Sequence, residues 1–348
     1  MIPGPESSVQ FRKTMGVTSD ATIVWRILNG VATIFKPAGF RLRTTRSTLI
    51  NHLCRDLNAL KVRPPREHVS IEGETNKPMI VKVGPSWGDH PLLVGPRYQE
   101  QDLKLSWANH LGRDTSGVLL IGINEGAKTV VRVRESRPTR FYRVKGILGQ
   151  ATDNFFKSGK IVEKATYKSI RRATMDAICA SMQASHQRKM FELCGVDIQT
   201  QAAYELAIRG PIRPANSKLP MIYAIKCVDF KLPEFTLEIV CINEYEMYLK
   251  EIIHELGMQL HSVATCTQIQ CFQYGLFNTE LALLKKHWDL QCILDNMKKT
   301  QKIINKNQYL LQQDSPILIH QRLDSNTDYN PYICSQTHFC GCDYSRSS

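Results

Sequence analysis

The amino-acid sequence predicts an α+β protein with either one large core or two modest ones. Strand-like runs outnumber those that an alternating, doubly wound fold would place between its helices. The chain has 348 residues, of which 43% are hydrophobic, so it can bury a core of this size. No internal repeat is visible, which excludes solenoid architectures.

The first elements are a short strand, a turn and a helix. Residues 30–35, GVATIF, are a typical buried strand, and the following KPAGF contains the turn formers Pro37 and Gly39. From Thr45 an amphipathic helix is predicted, with Ser47 or a neighbouring threonine as its cap. Its apolar face comprises Leu49, Ile50, Leu53 and Leu57.

The middle of the chain alternates between irregular segments and strands. Residues 61–100 contain six prolines and little periodicity, which indicates a long surface excursion. Strand-like runs follow at 117–123 and 141–148.

The second half is more regular. Gly210 and Gly257 are expected to end the second and third helices of this half. Beyond about residue 312 the chain is polar and is predicted to be a disordered tail. The predicted helices cover 174–182, 200–209, 244–257 and 281–297, and the predicted strands cover 219–228 and 235–242.

Composition points to a polyanionic partner. Lys and Arg outnumber Asp and Glu by 45 to 32, giving a formal net charge of +13. A charge of this sign favours nucleic acid or an anionic surface. Since no run reaches the roughly 18 apolar residues of a membrane span, nucleic acid is the leading partner.

Eleven cysteines without a secretory signal indicate reduced thiols rather than a disulfide framework. A C-terminal cluster could hold zinc, but its spacing matches no standard ligand pattern, so a polar tail that carries thiols is the simpler interpretation. We expect no metal. The cluster comprises Cys334, His338, Cys340 and Cys342.

Three segments in this order resemble the TruB family of RNA pseudouridine synthases. They are FKPAG at 35–39, FYRVKGILGQATDNFFKSGKIV at 141–162 and YLKEIIHELG at 248–257. Within the family, the chain is most similar to the animal mitochondrial paralogue. That likeness is carried by HPLLVGP at 90–96, AYELAIRGPIRP at 203–214 and CTQ at 266–268.

The resemblance implies a pseudouridine synthase catalytic fold, with a bent mixed sheet flanked by helices and a central RNA-binding cleft. It places the TruB-like domain at 28–311, after an N-terminal leader or disordered segment at 1–27 and before the tail at 312–348. Expected partners are mitochondrial mRNA or tRNA and other mitochondrial RNA-processing proteins. The leader composition supports mitochondrial targeting only weakly. Neither a metal nor an organic cofactor is required.

The resemblance also implies three catalytic positions. Family members use an aspartate nucleophile, a strand tyrosine that stacks on or deprotonates the base, and a basic helix residue that pairs with the aspartate. Tyr142 matches the tyrosine; by itself it would more often be a core residue. Lys250 stands where the family has arginine. A guanidinium that can make two parallel hydrogen bonds to a carboxylate is thus replaced by a single ammonium group. Gln270 and Cys271 also stand where relatives carry arginines.

The nucleophile position is degenerate. The family aspartate precedes the glycine of the apolar strand by five residues, and five residues before Gly117 is Gly112. Asp114 lies two residues further on, which on an extended backbone is a shift of about 6–7 Å. Asp114 is therefore either a displaced catalytic carboxylate or part of a surface turn with Arg113.

Six residues are candidate RNA contacts. Trp107 replaces a histidine that helps to unstack RNA in bacterial members, and an indole can also wedge and stack. Arg140 and Arg143 belong to a basic run between 132 and 145 that either tracks an RNA backbone or forms a solvated face. Arg113 is next to Asp114. Arg209 and Arg213 either contact RNA or stabilise a helix C-terminus.

Two functions remain open. The chain is expected to bind RNA and to isomerise uridine to pseudouridine through Asp114, Tyr142 and Lys250. The alternative is a catalytically inactive RNA-binding protein or scaffold in mitochondrial RNA metabolism. In either case, Lys36 is expected to be structural within its turn.

Overall fold

The computed structural model describes residues 20–62, 67–73, 76, 78–86, 88, 91–208 and 219–312. Its helices are α1 Ala21–Ile27, α2 Leu42–Asn58, α3 Pro91–Val94, α4 Gly126–Glu135, α5 Arg172–Leu193, α6 Gln201–Ile208, α7 Glu246–Gln259 and α8 Leu290–Lys306. Its strands are β1 Gly30–Lys36, β2 Glu67–Glu72, β3 Ile80–Pro85, β4 Leu105–Trp107, β5 Thr115–Ile123, β6 Arg140–Leu148, β7 Gln150–Thr152, β8 Ile161–Lys164, β9 Met221–Lys231, β10 Glu234–Ile242, β11 Ala264–Tyr274 and β12 Phe277–Asn278. The predicted α+β class is confirmed.

The chain divides into two compact units. The first unit is Met1–Val131 with Thr279–Lys306, and the second unit is Arg132–Asn278 with Asn307–Ser348. Each unit contains strands with helices packed against them. Within each unit the paired strands run antiparallel, whereas isolated bridges such as Ile34–Leu283 and Phe156–Cys266 are parallel.

The first unit is built on β5, whose nine residues are all buried. Strand β1 pairs with it antiparallel, with Lys36 opposite Gly117, and β4 pairs with it so that Trp107 lies opposite Ile121. An almost continuous apolar run is typical of a strand that is covered on both faces. The loop that precedes β5 therefore leads into a fully buried strand.

Helix α8 covers β1 and contacts α2. Its buried face includes Ile293, Met297 and Ile304, and burying each such side chain contributes about 1.5–3 kcal/mol. Asn296 lies on the same face, and its Oδ1 accepts the Thr33 backbone N–H at 2.7 Å. The helix is therefore held to the strand by apolar packing and by a buried polar contact.

In the second unit, β12, β11, β6, β10 and β9 form an antiparallel sheet in that order, and β7 pairs with β8 in a separate two-stranded sheet. Helix α5 packs on β9, and α7 packs on β11 and β6. Strand β11 carries bulges between Cys266 and Gln268 and between Cys271 and Gln273. These bulges interrupt the period-two pattern, which explains why the sequence did not predict this strand.

Several predicted boundaries were wrong. Helix α2 begins at Leu42 rather than Thr45, and Arg41 at its N-cap position makes no side-chain capping bond. Helix α5 continues to Leu193, eleven residues past its predicted end at 182, and α8 begins nine residues after the predicted 281. Strands β4, β7, β8 and β12 and helix α4 were not predicted either.

Gly257 lies inside α7 and does not end it. A Cβ atom at this position would collide with the backbone nitrogen and the Cβ of Ala264 on β11. The glycine therefore permits close packing between helix and strand, which is a role that a helix-ending pattern cannot distinguish from a cap.

Two segments predicted to lack regular structure contain it. The described part of 61–100 includes the β2–β3 hairpin, whose large apolar residues, such as Ile71 and Val81, are exposed. Residues 21–27, inside the predicted leader, form α1, and the Asp20 side chain caps it through the Thr22 N–H. Residues 1–19 and 313–348 lie outside the described residues, so the leader, the tail and the C-terminal Cys/His cluster stay predictions.

Candidate active site

The loop between β4 and β5 is anchored at its start by Asn109. This side chain is fully buried. Its Nδ2 donates to the Val118 carbonyl at 2.8 Å, and its Oδ1 accepts the Leu120 N–H at 3.1 Å. Both partners lie on β5, so Asn109 ties the loop to the strand that follows it.

Lys36 anchors the other end of the loop. It is 0% exposed, and its Nζ donates to the carbonyls of Thr115 at 2.7 Å, Pro37 at 3.3 Å and Arg113 at 3.5 Å. The Gly39 N–H also donates to the Arg113 carbonyl, at 2.8 Å. A buried ammonium needs such acceptors, and here it joins the turn after β1 to residues 113–115. This geometry agrees with the structural role expected for Lys36.

Asp114 lies in a bend at residues 113 and 114, directly before β5, and is half-buried. The backbone between residues 112 and 114 is therefore bent rather than extended as the sequence alone suggested. Gly112 is also half-buried, and it is not among the described glycines with positive φ. Gly117 has a φ of +133°, a conformation that favours glycine, so the backbone requires glycine at 117 and not at 112.

Tyr142 lies on β6 and is 2% exposed. Its hydroxyl donates to Glu244 Oε1 at 2.7 Å. Burial, and next the nearby Glu244 carboxylate, raises the pKa of Tyr142 well above its usual value. The phenol therefore stays protonated near neutral pH and acts as a hydrogen-bond donor.

Glu244 is the centre of a buried polar cluster in the second unit. Its side chain is 1% exposed and accepts from the Arg140 guanidinium at 2.5 Å. Arg140 also lies over the Tyr274 ring, 5.6 Å from its centroid. Within the described residues, Glu244 Oε2 and the Tyr274 hydroxyl have no hydrogen-bond partner. The carboxylate thus compensates a cation that would otherwise be costly to bury.

Lys250 lies on α7, and its side chain is 8% exposed. Among its contacts, Nζ donates to Glu246 Oε1 one turn earlier at 3.2 Å and lies 4.7 Å from the centroid of the Phe156 ring. A carboxylate and an aromatic face both stabilise an ammonium in a buried site. The basic helix residue is therefore held as a buried point charge.

Comparison with known proteins identifies the family. A family model described as TruB family pseudouridylate synthase (N terminal domain) matches residues 98–247. The chain is 37% identical over 277 residues to the mitochondrial pseudouridylate synthase TRUB2 of Xenopus tropicalis, covering 78% of this chain and 85% of the relative. It is 36% identical over 278 residues to the TRUB2 of Homo sapiens, covering 78% and 83% respectively. The chain belongs to the TruB family of pseudouridine synthases.

More distant matches add little. One solved structure, titled "Structure of H/ACA RNP bound to a substrate RNA containing 2'-deoxyuridine", has a TM-score of 0.39 and 12% identity, covering 84% of this chain and 60% of that chain. A likeness this weak supports no statement about fold or function. The mitochondrial names of the TRUB2 relatives support, by resemblance, the predicted mitochondrial localisation of this TruB-family chain.

The predicted RNA-contacting residues of this TruB-family chain differ in their surroundings. Arg113 is exposed and Trp107 is half-buried. Arg140 forms an ion pair with Glu244. Arg143 forms an ion pair with Glu238 at 2.6 Å, and its guanidinium lies over the Phe272 ring. Arg209 and Arg213 lie outside the described residues. The basic run 132–145 is divided between the end of α4, a turn and β6, so it does not form one continuous strand face.

Sequence reasoning missed Asn109, Glu244 and Glu246. Asn109 precedes the family-like loop, and Glu246 stands one helical turn before Lys250, a spacing that signals an ion pair. Glu244 lies between β10 and α7, and no local pattern connects it with Tyr142, 102 residues earlier. Only the pairing of β6 with β10 brings these two residues together.

Two further features concern the described residues alone. Within them, no three or more His, Cys, Asp or Glu side chains form a group that could hold a metal ion. In the same part of the chain, no helix is long and apolar enough to cross a membrane.

Proposed function

We propose that this chain is an RNA-binding TruB-family protein of mitochondria that isomerises uridine to pseudouridine in mitochondrial mRNA or tRNA. Its TruB-like domain comprises residues 28–311, and other mitochondrial RNA-processing proteins are its partners. Asp114 acts as the catalytic carboxylate, because the usual aspartate position is occupied by Gly112. Tyr142 and Lys250 are the other two catalytic residues that the family resemblance implies. The TRUB2 relatives, named as mitochondrial pseudouridylate synthases, support the activity and the compartment.

The observation that carries the proposal is the anchored loop before β5. Lys36 and Asn109 bind the backbone at its two ends. Asp114 is the one acidic residue between Leu103 and Asn124. A nucleophile must be held to within about 1 Å of its attack position, and the anchors at both ends of the loop support this by restricting its motion.

The reaction determines what these residues do. The N1–C1′ bond of uridine breaks, the uracil rotates, a C5–C1′ bond forms, and the proton at C5 is lost while N1 gains one. The nucleotide first leaves the base stack, at a cost of a few kcal/mol. The Asp114 carboxylate acts as the nucleophile or base, as carboxylates do on related glycosidic bonds. Lys250, whose ammonium is buried and paired with Glu246, is the basic residue that the family resemblance assigns to this reaction.

A second function, RNA binding without catalysis, is favoured by the surroundings of Tyr142. The ring is 2% exposed, so stacking on a nucleobase requires a local opening. The hydroxyl is a donor to Glu244 and its pKa is raised by burial and by that carboxylate, so it does not accept a proton near neutral pH. Together with glycine at 112, these features support the alternative of a protein that binds RNA without catalysing the isomerisation.

Pseudouridine mapping distinguishes the two functions. Purified protein is incubated with mitochondrial RNA from cells that lack it, and new pseudouridines are located chemically, beside an Asp114→Ala variant. We expect sites that wild type produces and Asp114→Ala does not. Isomerisation that survives the substitution would exclude Asp114 as the nucleophile. Absence of turnover by a wild-type protein that still binds RNA would establish the second function.

A further inference from the structure

The first unit carries a stretch of chain without acidic residues. Between Ala21 and Arg55 there are six lysines and arginines and no aspartate or glutamate. Lys36 is used inside the fold, and Arg55 pairs with Asp56. The basic residues at the start of α2, which are Arg41, Arg43 and Arg46, are all exposed.

These three arginines have no carboxylate partner within the described residues. They also occupy the positive end of the α2 dipole, where cations are unfavourable and where Asp or Glu would stabilise the helix. The first turn of α2 contains no acidic residue and no side-chain cap. The placement of the arginines opposes helix stability, so their presence requires another explanation.

A second segment extends the same surface. Lys285 and Lys286 lie in a 3-10 turn before α8 and are exposed, and the Lys285 Nζ lies 4.4 Å from the centroid of the Phe40 ring. Phe40 directly precedes Arg41. Together the basic residues form the α2 basic surface, which comprises Arg41, Arg43, Arg46, Lys285 and Lys286.

The α2 basic surface adjoins the candidate nucleophile loop within the first unit. Gly39, two residues before Arg41, donates its N–H to the Arg113 carbonyl at 2.8 Å. Arg113 itself is exposed. The acids nearest in sequence to Lys285 and Lys286 are Glu280 and Asp289, and Asp289 Oδ1 accepts the Cys292 N–H at the start of α8. Residues 40–47 and 281–288 contain five lysines and arginines and no aspartate or glutamate.

We propose that the α2 basic surface binds the phosphate backbone of the RNA on the side of the Asp114 loop. This inference rests on the proposed function and names the surface that holds the substrate. Exposed guanidinium groups without carboxylate partners can exchange solvent counterions for phosphates, which gives affinity without sequence specificity. Arg140 and Arg143, which the sequence favoured for this role, already have carboxylate partners.

The test compares variants of equal charge. The α2 variant is Arg41→Gln/Arg43→Gln/Arg46→Gln, and the control is Lys299→Gln/Lys302→Gln/Lys306→Gln on the exposed face of α8 in the same unit. Binding to a fluorescent, unmodified mitochondrial tRNA transcript is measured from about 50 to about 300 mM KCl. Each lost phosphate contact reduces the magnitude of the slope of log binding constant against log salt concentration by about 0.7 for single-stranded regions. Loss of three arginine contacts should therefore reduce the magnitude of this slope by about 2 in the α2 variant.

At low salt, we expect the α2 variant to bind at least about tenfold more weakly than wild type and the control to bind within about twofold of it. Arg41→Lys/Arg43→Lys/Arg46→Lys should keep the wild-type slope, because the charges remain. The melting temperature of the α2 variant should equal or exceed that of wild type, since the repulsion at the helix end is relieved.

Suppose that wild type binds the transcript. If the α2 variant and the control lose the same affinity, or if neither variant loses affinity, the inference about the α2 basic surface is overturned and the proposed function is unaffected. A lower melting temperature in the α2 variant, together with weaker binding, would assign the arginines to the fold and would also overturn it. A wild-type protein that does not bind the transcript in low salt overturns both proposals.

Discussion

Two groups of basic residues, one in each unit, differ in whether a carboxylate compensates them. In the first unit, Arg41, Arg43 and Arg46 are exposed and have no carboxylate partner among the described residues. In the second unit, Arg140 pairs with Glu244 and Lys250 pairs with Glu246. The Glu244 and Lys250 side chains are 1% and 8% exposed respectively.

This difference follows from desolvation. A buried cation needs a nearby carboxylate or, as at Lys36, several carbonyl acceptors, because the energy of removing it from water is otherwise not recovered. A cation on the surface remains hydrated, so leaving it unpaired costs little free energy, and it can bind a polyanion. Basic residues in this chain are therefore candidates for RNA contact where the fold leaves them both exposed and unpaired. On β6, Arg140 is largely buried against Glu244, and Arg143 is exposed but paired with Glu238.

The largest expected effect concerns the carboxylate of the first unit. Asp114→Asn should reduce pseudouridine formation by at least about 10³-fold, as is usual when a nucleophile is removed. RNA affinity should remain within about twofold of wild type, because the surface cations are unchanged. Single-turnover assays and equilibrium binding on the same transcript measure the two quantities.

Two controls sharpen this prediction. Asp295→Asn changes an exposed acid on α8 of the same unit and should leave turnover unaltered. Gly112→Asp combined with Asp114→Asn returns a carboxylate to the position where the family has one, and the backbone at 112 does not require glycine. We expect no recovery of turnover. Recovery of turnover in this double variant would show that a carboxylate at position 112, and not at 114, serves as the nucleophile.

The next effect compares two ion pairs of the second unit. Glu244→Gln leaves the Arg140 guanidinium without its buried counter-charge and should lower the free energy of unfolding by about 3 kcal/mol. Glu238→Gln removes the partner of Arg143 and Lys226, whose side chains are 47% and 41% exposed, and should cost less than about 1 kcal/mol. Urea unfolding of both variants measures this difference. Equal losses would show that burial does not distinguish the two pairs.

The smallest effect is the response of a buried thiol to alkaline pH. Burial, the main cause, raises the pKa of Cys227 from 9.0 to about 11. A pKa that is higher in the folded state favours the protonated form there. Its contribution to stability is therefore fully present below pH 9.0 and is lost as the pH rises toward about 11.

The matched variant is Cys227→Ser, which removes this titration and little volume. Unfolding by urea at about pH 8 and about pH 10 should show a smaller alkaline loss of stability in Cys227→Ser than in wild type. An identical loss in the two proteins would assign the alkaline response to other groups, such as the tyrosines.

Local patterns determined much of the fold. The apolar run at 117–123 is part of β5, GVATIF is part of β1, and the Leu49 to Leu57 periodicity lies on α2. Each pattern reports which face of an element is buried, and that information is local. The ends of helices and strands were predicted less accurately, because they depend on contacts with other elements. At Gly257, for example, the close approach of Ala264 explains a glycine that the sequence suggested would end the helix.

The sequence by itself determined the α+β class, the resemblance to the TruB family, the glycine at 112 and the net positive charge of +13. The tertiary structure decided which charges are compensated. Tyr142 meets Glu244 across 102 residues, Arg140 meets the same carboxylate across 104, and Lys36 reaches the Thr115 carbonyl across 79. Periodicity shows that a side chain is buried but cannot name its partner, because strand pairing between distant segments selects that partner.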